Sequence, residues 1–221
     1  MHDAASHWDQ LHENPRFRPS YPNDHVVRFL IATRGLVSQS TPARFLDIGV
    51  GAGRHTKVAA DLGFSPCGID ISLVGLTHTY QRFRDAGAPL LLAQASMLGL
   101  PFADHSFHAV LSFGVFYYGR AEEMKRAIHE THRVLAPGGR TFVVLRTSAD
   151  YRFGKGVELE PNTFQLTISD TNEFGTIQHF LAAPNIPEYF GAFSRVSFEK
   201  TETTFSNRTH VNSDWLITAE K

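Results

Sequence analysis

The turn Asp47-Ile48-Gly49-Val50-Gly51-Ala52-Gly53-Arg54 carries the densest chemical signal in this chain. Glycines let backbone approach a ligand closely, and the free N–H groups opening the following helix face it. Such a turn serves a nucleotide-type ligand, and two features narrow the choice. The spacing is G-x-G-x-G, and Arg54 stands where a dinucleotide fingerprint has its third glycine. Asp47 precedes the first glycine by two residues, so its carboxylate is expected at the cavity mouth, repelling a diphosphate and attracting an ammonium or sulfonium. Asp70, roughly 20 residues beyond the turn, is positioned to accept from both hydroxyls of a ribose. Either acid alone reads equally well as a helix cap. At the ends of adjacent strands the two together read as a site.

These residues need elements to hold them. After Asn23 and Asp24, Val27, Leu30 and Ile31 recur at helical spacing up to Gly35, predicting a helix over 24–34 that follows an irregular opening. A polar linker over 38–42 leads into a buried-strand pattern at 44–48. A helix over 54–62 closes at Gly63, and 67–71 reads as the second strand. A helix over 73–86 and a third apolar run at 89–93 follow, then a fourth at 107–112. An amphipathic helix over 122–135 is broken by Pro137-Gly138-Gly139 before a fifth strand at 141–145. Alternating strands and helices imply parallel pairing through right-handed crossovers. The segments 196–201 and 215–219 alternate with no helix between them and predict a terminal hairpin. The expected fold is therefore α/β: a doubly wound, mostly parallel seven-stranded sheet with helices on both faces and an antiparallel C-terminal hairpin.

The 221 residues, 42% of them hydrophobic, suffice for one sizeable core, so a single domain is expected over 1–221. Its parts are an N-terminal lid or helix (1–36), a cofactor-binding core (44–146), a substrate-cap loop (147–190) and the hairpin (193–221). The 21 Lys and Arg against 22 Asp and Glu leave no basic excess to neutralise a phosphate backbone, so nucleic acid is not an expected partner. One cysteine, Cys67, suits a reducing, cytoplasmic setting. No signal peptide is evident, and no apolar run approaches the roughly 20 residues that span a bilayer. His129 and His132 are spaced by three rather than the four of a zincin helix, so no metal is expected.

S-adenosylmethionine carries both cationic groups and no phosphate, which the acid at the turn suits. The segment RFLDIGVGAGRHTKVAADLGFSPCGIDIS resembles motif one and the acidic second-strand end of class I S-adenosylmethionine-dependent methyltransferases of the small-molecule type. LGLPFADHSFHAVLSFGVFYY is similar to their third and fourth strand region, RVLAPGGRTFVVL to their helix, turn and fifth strand, and DWLITAEK to their antiparallel last strand. The resemblance spans about residues 44–146 and the last strand; the opening and 147–190 match by position only. It implies that Asp47 and the backbone of Gly49, Gly51 and Gly53 hold the methionine end, that Asp70 takes the ribose and that Ile71 packs on adenine. Family members often carry an acid for the adenine amino group where this chain has Ser96, a weaker acceptor. Met97 would offer its backbone N–H and thioether to the ring, and Ser112 and Phe113 would border the methyl path.

Methyl transfer from a sulfonium needs alignment and exclusion of water more than obligatory side chains. A hydroxyl or ammonium acceptor also needs a base. Many relatives have His-His after the fourth strand, but this chain has Tyr117-Tyr118 there. His179, His7, His12 and Tyr117 are the remaining candidates, with His179 and Tyr117 put forward as catalytic. Trp8 and Tyr21, in a segment with Arg16 and Arg18, are expected to contact cofactor or substrate as a lid. The expected activity is methylation of an oxygen or nitrogen on a small molecule. A nicotinamide oxidoreductase is disfavoured by Arg54 and Asp47, and a non-catalytic cofactor-binding module is the third reading.

Overall fold

The computed structural model describes residues 2–35, 43–87, 89–169 and 172–221; the linker over 38–42 lies outside the described residues. The chain opens with α1 (His2–Glu13), a 3-10 turn (Pro15–Phe17) and α2 (Asp24–Arg34). Then come β1 (Ala43–Ile48), α3 (Arg54–Asp61), β2 (Phe64–Asp70), α4 (Leu73–Ala86), β3 (Leu91–Gln94) and β4 (Phe107–Phe113). α5 (Ala121–Val134), β5 (Leu135–Arg146), β6 (Gly156–Glu160), β7 (Thr163–Leu166) and β8 (Ile177–His179) follow. α6 (Ile186–Tyr189), β9 (Arg195–Phe205) and β10 (His210–Glu220) complete it.

Seven strands form one sheet in the order β3-β2-β1-β4-β5-β10-β9. The strands from β3 to β5 are parallel, and β10 runs antiparallel between β5 and β9. This is the expected doubly wound sheet with its antiparallel C-terminal pair. Strand order reverses between β1 and β4, where Ile48 pairs with Ser112, so the loops leaving these strands open a crevice at the switch point. Alternate residues of each strand feed two cores. Phe45, Ala109, Leu111, Phe142 and Val144 pack with Val26, Phe29 and Leu30 of α2 and Ala59 of α3. Leu46, Ile48, Val110, Val143 and Leu145 pack with Met124, Ala127 and Ile128 of α5 and with Ile186 and Phe190. Each such large apolar side chain contributes about 1.5–3 kcal/mol on burial. Among the described residues no helix is long and apolar enough to cross a membrane.

The structure corrects three expectations. The opening is helical, not irregular: α1 docks through Trp8, Asp9 and His12, and its few apolar residues are scattered among polar ones. The 147–190 segment is not an open loop. It contains a second antiparallel sheet, β6-β7-β8, whose Phe164 and Leu166 pack with Phe180 and Phe153. Strands of three to five residues are too short for alternation to stand out. The fifth strand also starts at Leu135, with a register shift opposite Phe107 and Ala109 absorbing Pro137-Gly138-Gly139.

Candidate functional site

The glycine loop leaves β1 under tight backbone control. Gly49 and Val50 donate to the Ile69 carbonyl at 2.8 and 2.9 Å, tying the loop to β2. Gly49, Gly51 and Gly53 all have left-handed backbone, with φ of 75°, 53° and 75°. At Gly49 glycine is required twice, because a Cβ there would stand 2.3 Å from Val115 Cγ2. Asp70 clasps the loop from the end of β2: Gly51 N–H donates to its Oδ2 and Ser72 N–H to its Oδ1, each at 2.9 Å. Burial pushes the Asp70 pKa up, against the pull of those two N–H groups and of His12.

Asp47 is not at the cavity mouth. It is 2% exposed, and Thr56 Oγ1 donates to it at 2.6 Å, because it lies inside the sheet between β2 and β4. Burial pushes its pKa up to about 7, against the Thr56 hydrogen bond.

Helix α1 lies across these strand ends. The His12 ring fills a slot between two glycines, with Cε1 3.2 Å from a Cβ built on Gly51 and Cδ2 3.1 Å from one built on Gly75. Asp9 accepts from Ser72 Oγ at 2.6 Å and Val74 N–H at 3.1 Å, adding a second cap to α4. Trp8 meets Tyr118 edge to face with ring centroids 4.7 Å apart. The sequence named Trp8 and His12, but Asp9 gave no local signal, since its partners lie more than 60 residues away, and neither did the approach of His12 to Gly75.

The other sequence-derived residues fall as follows. Ser112 Oγ, at the end of β4, is buried with no hydrogen-bond partner, and Phe113 lies under the Arg54 guanidinium at 5.4 Å. The Ile71 carbonyl takes a hydrogen bond from Gln94. Ser96 Oγ accepts from Leu98 N–H at 3.2 Å, and Met97 packs half-buried against the α5-side core. The Tyr21 ring is 84% exposed, and its carbonyl accepts from Arg54 at 3.3 Å. His179 is buried in the small sheet with Thr163 Oγ1 at 2.7 Å from Nδ1 and Tyr189 Oη at 2.9 Å from Nε2, leaving neither nitrogen open as a base. Tyr117 is buried beneath the Arg146 guanidinium, 4.3 Å from its ring centroid, and burial raises its pKa.

The sequence missed a charged cluster between β5, the cap and β10. Arg146 Nη2 is 2.6 Å from Glu173 Oε1, Arg152 Nε pairs with Glu173 Oε2, and Arg152 Nη1 is 3.0 Å from Asp150 Oδ1. Tyr118 Oη donates to Glu173 at 2.7 Å. Burial raises the Glu173 pKa, but Arg146 and Arg152 outweigh it and hold the carboxyl below its ordinary range. Partners 27 residues apart leave no periodic trace in the sequence.

The sheet order and the glycine turn ending β1 define a doubly wound, Rossmann-like core. Residues 45–139 match the family model for a methyltransferase domain. The chain is similar to the protein named probable tRNA methyltransferase 9B of Mus musculus, 33% identical over 112 residues, which are 49% of this chain and 23% of that protein. A demethylmenaquinone methyltransferase of Thermus thermophilus is 30% identical over 112 residues, 49% of this chain and 50% of that one. The chain thus spans between about a quarter and half the length of these curated relatives. The crystal structure of an S-adenosylmethionine-dependent methyltransferase from Methanosarcina mazei shares the fold, with a TM-score of 0.71 and 20% identity over 86% of this chain and 96% of that one.

Replacing Asp70 with alanine is expected to strip Gly51 and Ser72 N–H of their acceptor, costing about 1–3 kcal/mol for each donor left buried. Calorimetry should show a marked loss of S-adenosylhomocysteine affinity; unaltered affinity would remove the ribose role.

Proposed function

We propose that the chain moves the methyl group of S-adenosylmethionine to an oxygen or nitrogen of a small-molecule acceptor. The reading rests on one observation: Asp70, at the end of β2, clasps a left-handed glycine loop whose backbone is also tied to β2, at the crevice where strand order reverses. The donor set fits a cofactor with a cationic amino-acid end and a ribose. Asp70 would take the ribose, the backbone of Gly49, Gly51 and Gly53 the methionine end, and Ile71, Ser96 and Met97 the adenine. When bound, the cofactor supplies an electrophilic methyl group. The chain's own residues then align the acceptor and exclude water. Trp8 and Tyr118, whose rings meet, would wall the crevice, and Ser112 Oγ and Phe113 would border it at the end of β4. The raised pKa of Tyr117 suits a hydrogen-bond donor to the acceptor better than a base.

Titration with S-adenosylmethionine, S-adenosylhomocysteine and NAD, followed by a methyl-transfer screen of small hydroxyl and amino compounds, tests this reading. Tighter binding of NAD would overturn it. Inclusion of tRNA in the screen addresses the acceptor type in the name of the mouse relative.

Asp47 adds a proton-linkage prediction. Its folded pKa of about 7 exceeds the unfolded value of about 4, so the folded chain retains a proton the unfolded chain releases. The resulting stabilisation is complete below about pH 4 and is lost as pH rises through 7. Asp47→Asn, which preserves an acceptor for Thr56, is expected to flatten stability between those limits in urea unfolding. A cation bound nearby favours the ionised acid, so wild type should release a proton on binding S-adenosylmethionine at pH 6.5 and the variant should not. Calorimetry in buffers of different ionisation enthalpy reads this directly; equal release by both would remove Asp47 from the site.

A further inference from the structure

We propose that a second cleft, between the 3-10 turn and α4, binds a phosphate-type anion. A cavity of about 300 Å³ is lined there by Pro15, Arg18, Ala52, His78, Gln81 and Arg82. Arg18 Nη1 lies 2.9 Å from His78 Nε2, and Nη2 donates to the Glu13 carbonyl at 3.3 Å. Arg18 Nε is buried with no hydrogen-bond partner. Arg82 Nη1 donates to the Ser20 carbonyl at 3.2 Å. The partners of these two half-buried guanidiniums are neutral, and no ion pair involves either of them among the described residues. Arg28, Arg84, Arg120, Arg133, Arg140, Arg146 and Arg152 each pair with a carboxylate.

Two cations drawn partly out of water into one cleft repel each other and lose hydration, a cost that an anion between them offsets. Guanidinium forks match the tetrahedral oxygens of a phosphate, and the Gln81 amide is a further donor. Burial, and then Arg18, hold the His78 pKa below its ordinary value, so the ring is a neutral acceptor for Arg18 until an anion arrives. Two fixed charges and a titratable ring suit a phosphate dianion better than a single carboxylate. The near-zero net charge of the whole chain does not bear on this cleft, because its arginines are offset by acids elsewhere.

Calorimetric titration of the full chain at low ionic strength, with inorganic pyrophosphate and separately with a 5′-phosphorylated oligoribonucleotide, tests the site. Saturable binding is expected, weakened at least about 10-fold by Arg18→Gln or Arg82→Gln and further in the double variant, with Arg18→Lys retaining the charge and only part of the affinity. Binding of pyrophosphate alone assigns a free phosphate compound; tighter binding of the oligoribonucleotide assigns a phosphodiester chain. Each outcome supports the proposal. Absence of saturation with both probes overturns it, as does undiminished affinity in the double variant with an unchanged melting curve. Competitive displacement of pyrophosphate by S-adenosylhomocysteine also overturns it, because the cleft would then hold the cofactor's own carboxylate. The methyltransferase reading is judged separately, by whether S-adenosylhomocysteine binds at all.

Discussion

Gly49→Ala is expected to destabilise the chain by about 2–5 kcal/mol and to abolish S-adenosylhomocysteine binding. Two costs add at this position. The backbone has φ of 75°, a left-handed conformation costing an L-residue about 1–2 kcal/mol. The new methyl would stand 2.3 Å from Val115 Cγ2 and 3.2 Å from Cγ1, an overlap that must move the β4–α5 turn or the loop itself, at about 1–3 kcal/mol. Either movement breaks the paired hydrogen bonds from Gly49 and Val50 to Ile69 that aim the loop. Gly138→Ala is the control, since Gly138 has φ of 72° with nothing within 4 Å of the added carbon. It should show the conformational cost and intact binding. Urea unfolding and calorimetry on both variants read the difference; equal losses would show that crowding against Val115 does not matter.

The second large effect is expected at Glu173. Glu173→Leu removes the carboxylate shared by Arg146 and Arg152 and leaves both guanidiniums partly uncompensated in a buried setting, a loss of about 3–5 kcal/mol. Arg146 is 6% exposed and retains Gln178 and the Tyr117 ring, so it cannot swing into water to recover hydration. Adding Arg146→Met should restore part of the loss, because removing both members of a buried pair costs less than removing one. Glu173 also accepts from Tyr118, whose ring meets Trp8 of α1, so faster hydrogen exchange is expected in β7, β8 and α1. Protection changes confined to the residues beside Glu173 would show that the cluster does not join the cap to the lid.

The order of strands and helices was legible because each rests on short-range patterns. Examples are the short apolar runs of β1 and β4, the helical spacing of Met124 and Ile128 with Val134, and the glycines closing α2 and α4. The glycine turn and the acid ending β2 were legible for the same reason. The small sheet of the cap was not, since its strands are held by pairing across the segment rather than by their own propensity.

What the sequence determined alone was therefore the doubly wound core and the identity of the residues around its glycine loop. Those depend on backbone requirements that act within a few residues. Only the tertiary structure decided that Asp47 is buried against Thr56, that His12 fills the slot between Gly51 and Gly75, and that both nitrogens of His179 are engaged. It also decided that Glu173 joins two arginines. A side chain's hydration, pKa and free hydrogen-bonding capacity are set by what packs against it, and apart from Thr56 those neighbours come from elements far along the chain.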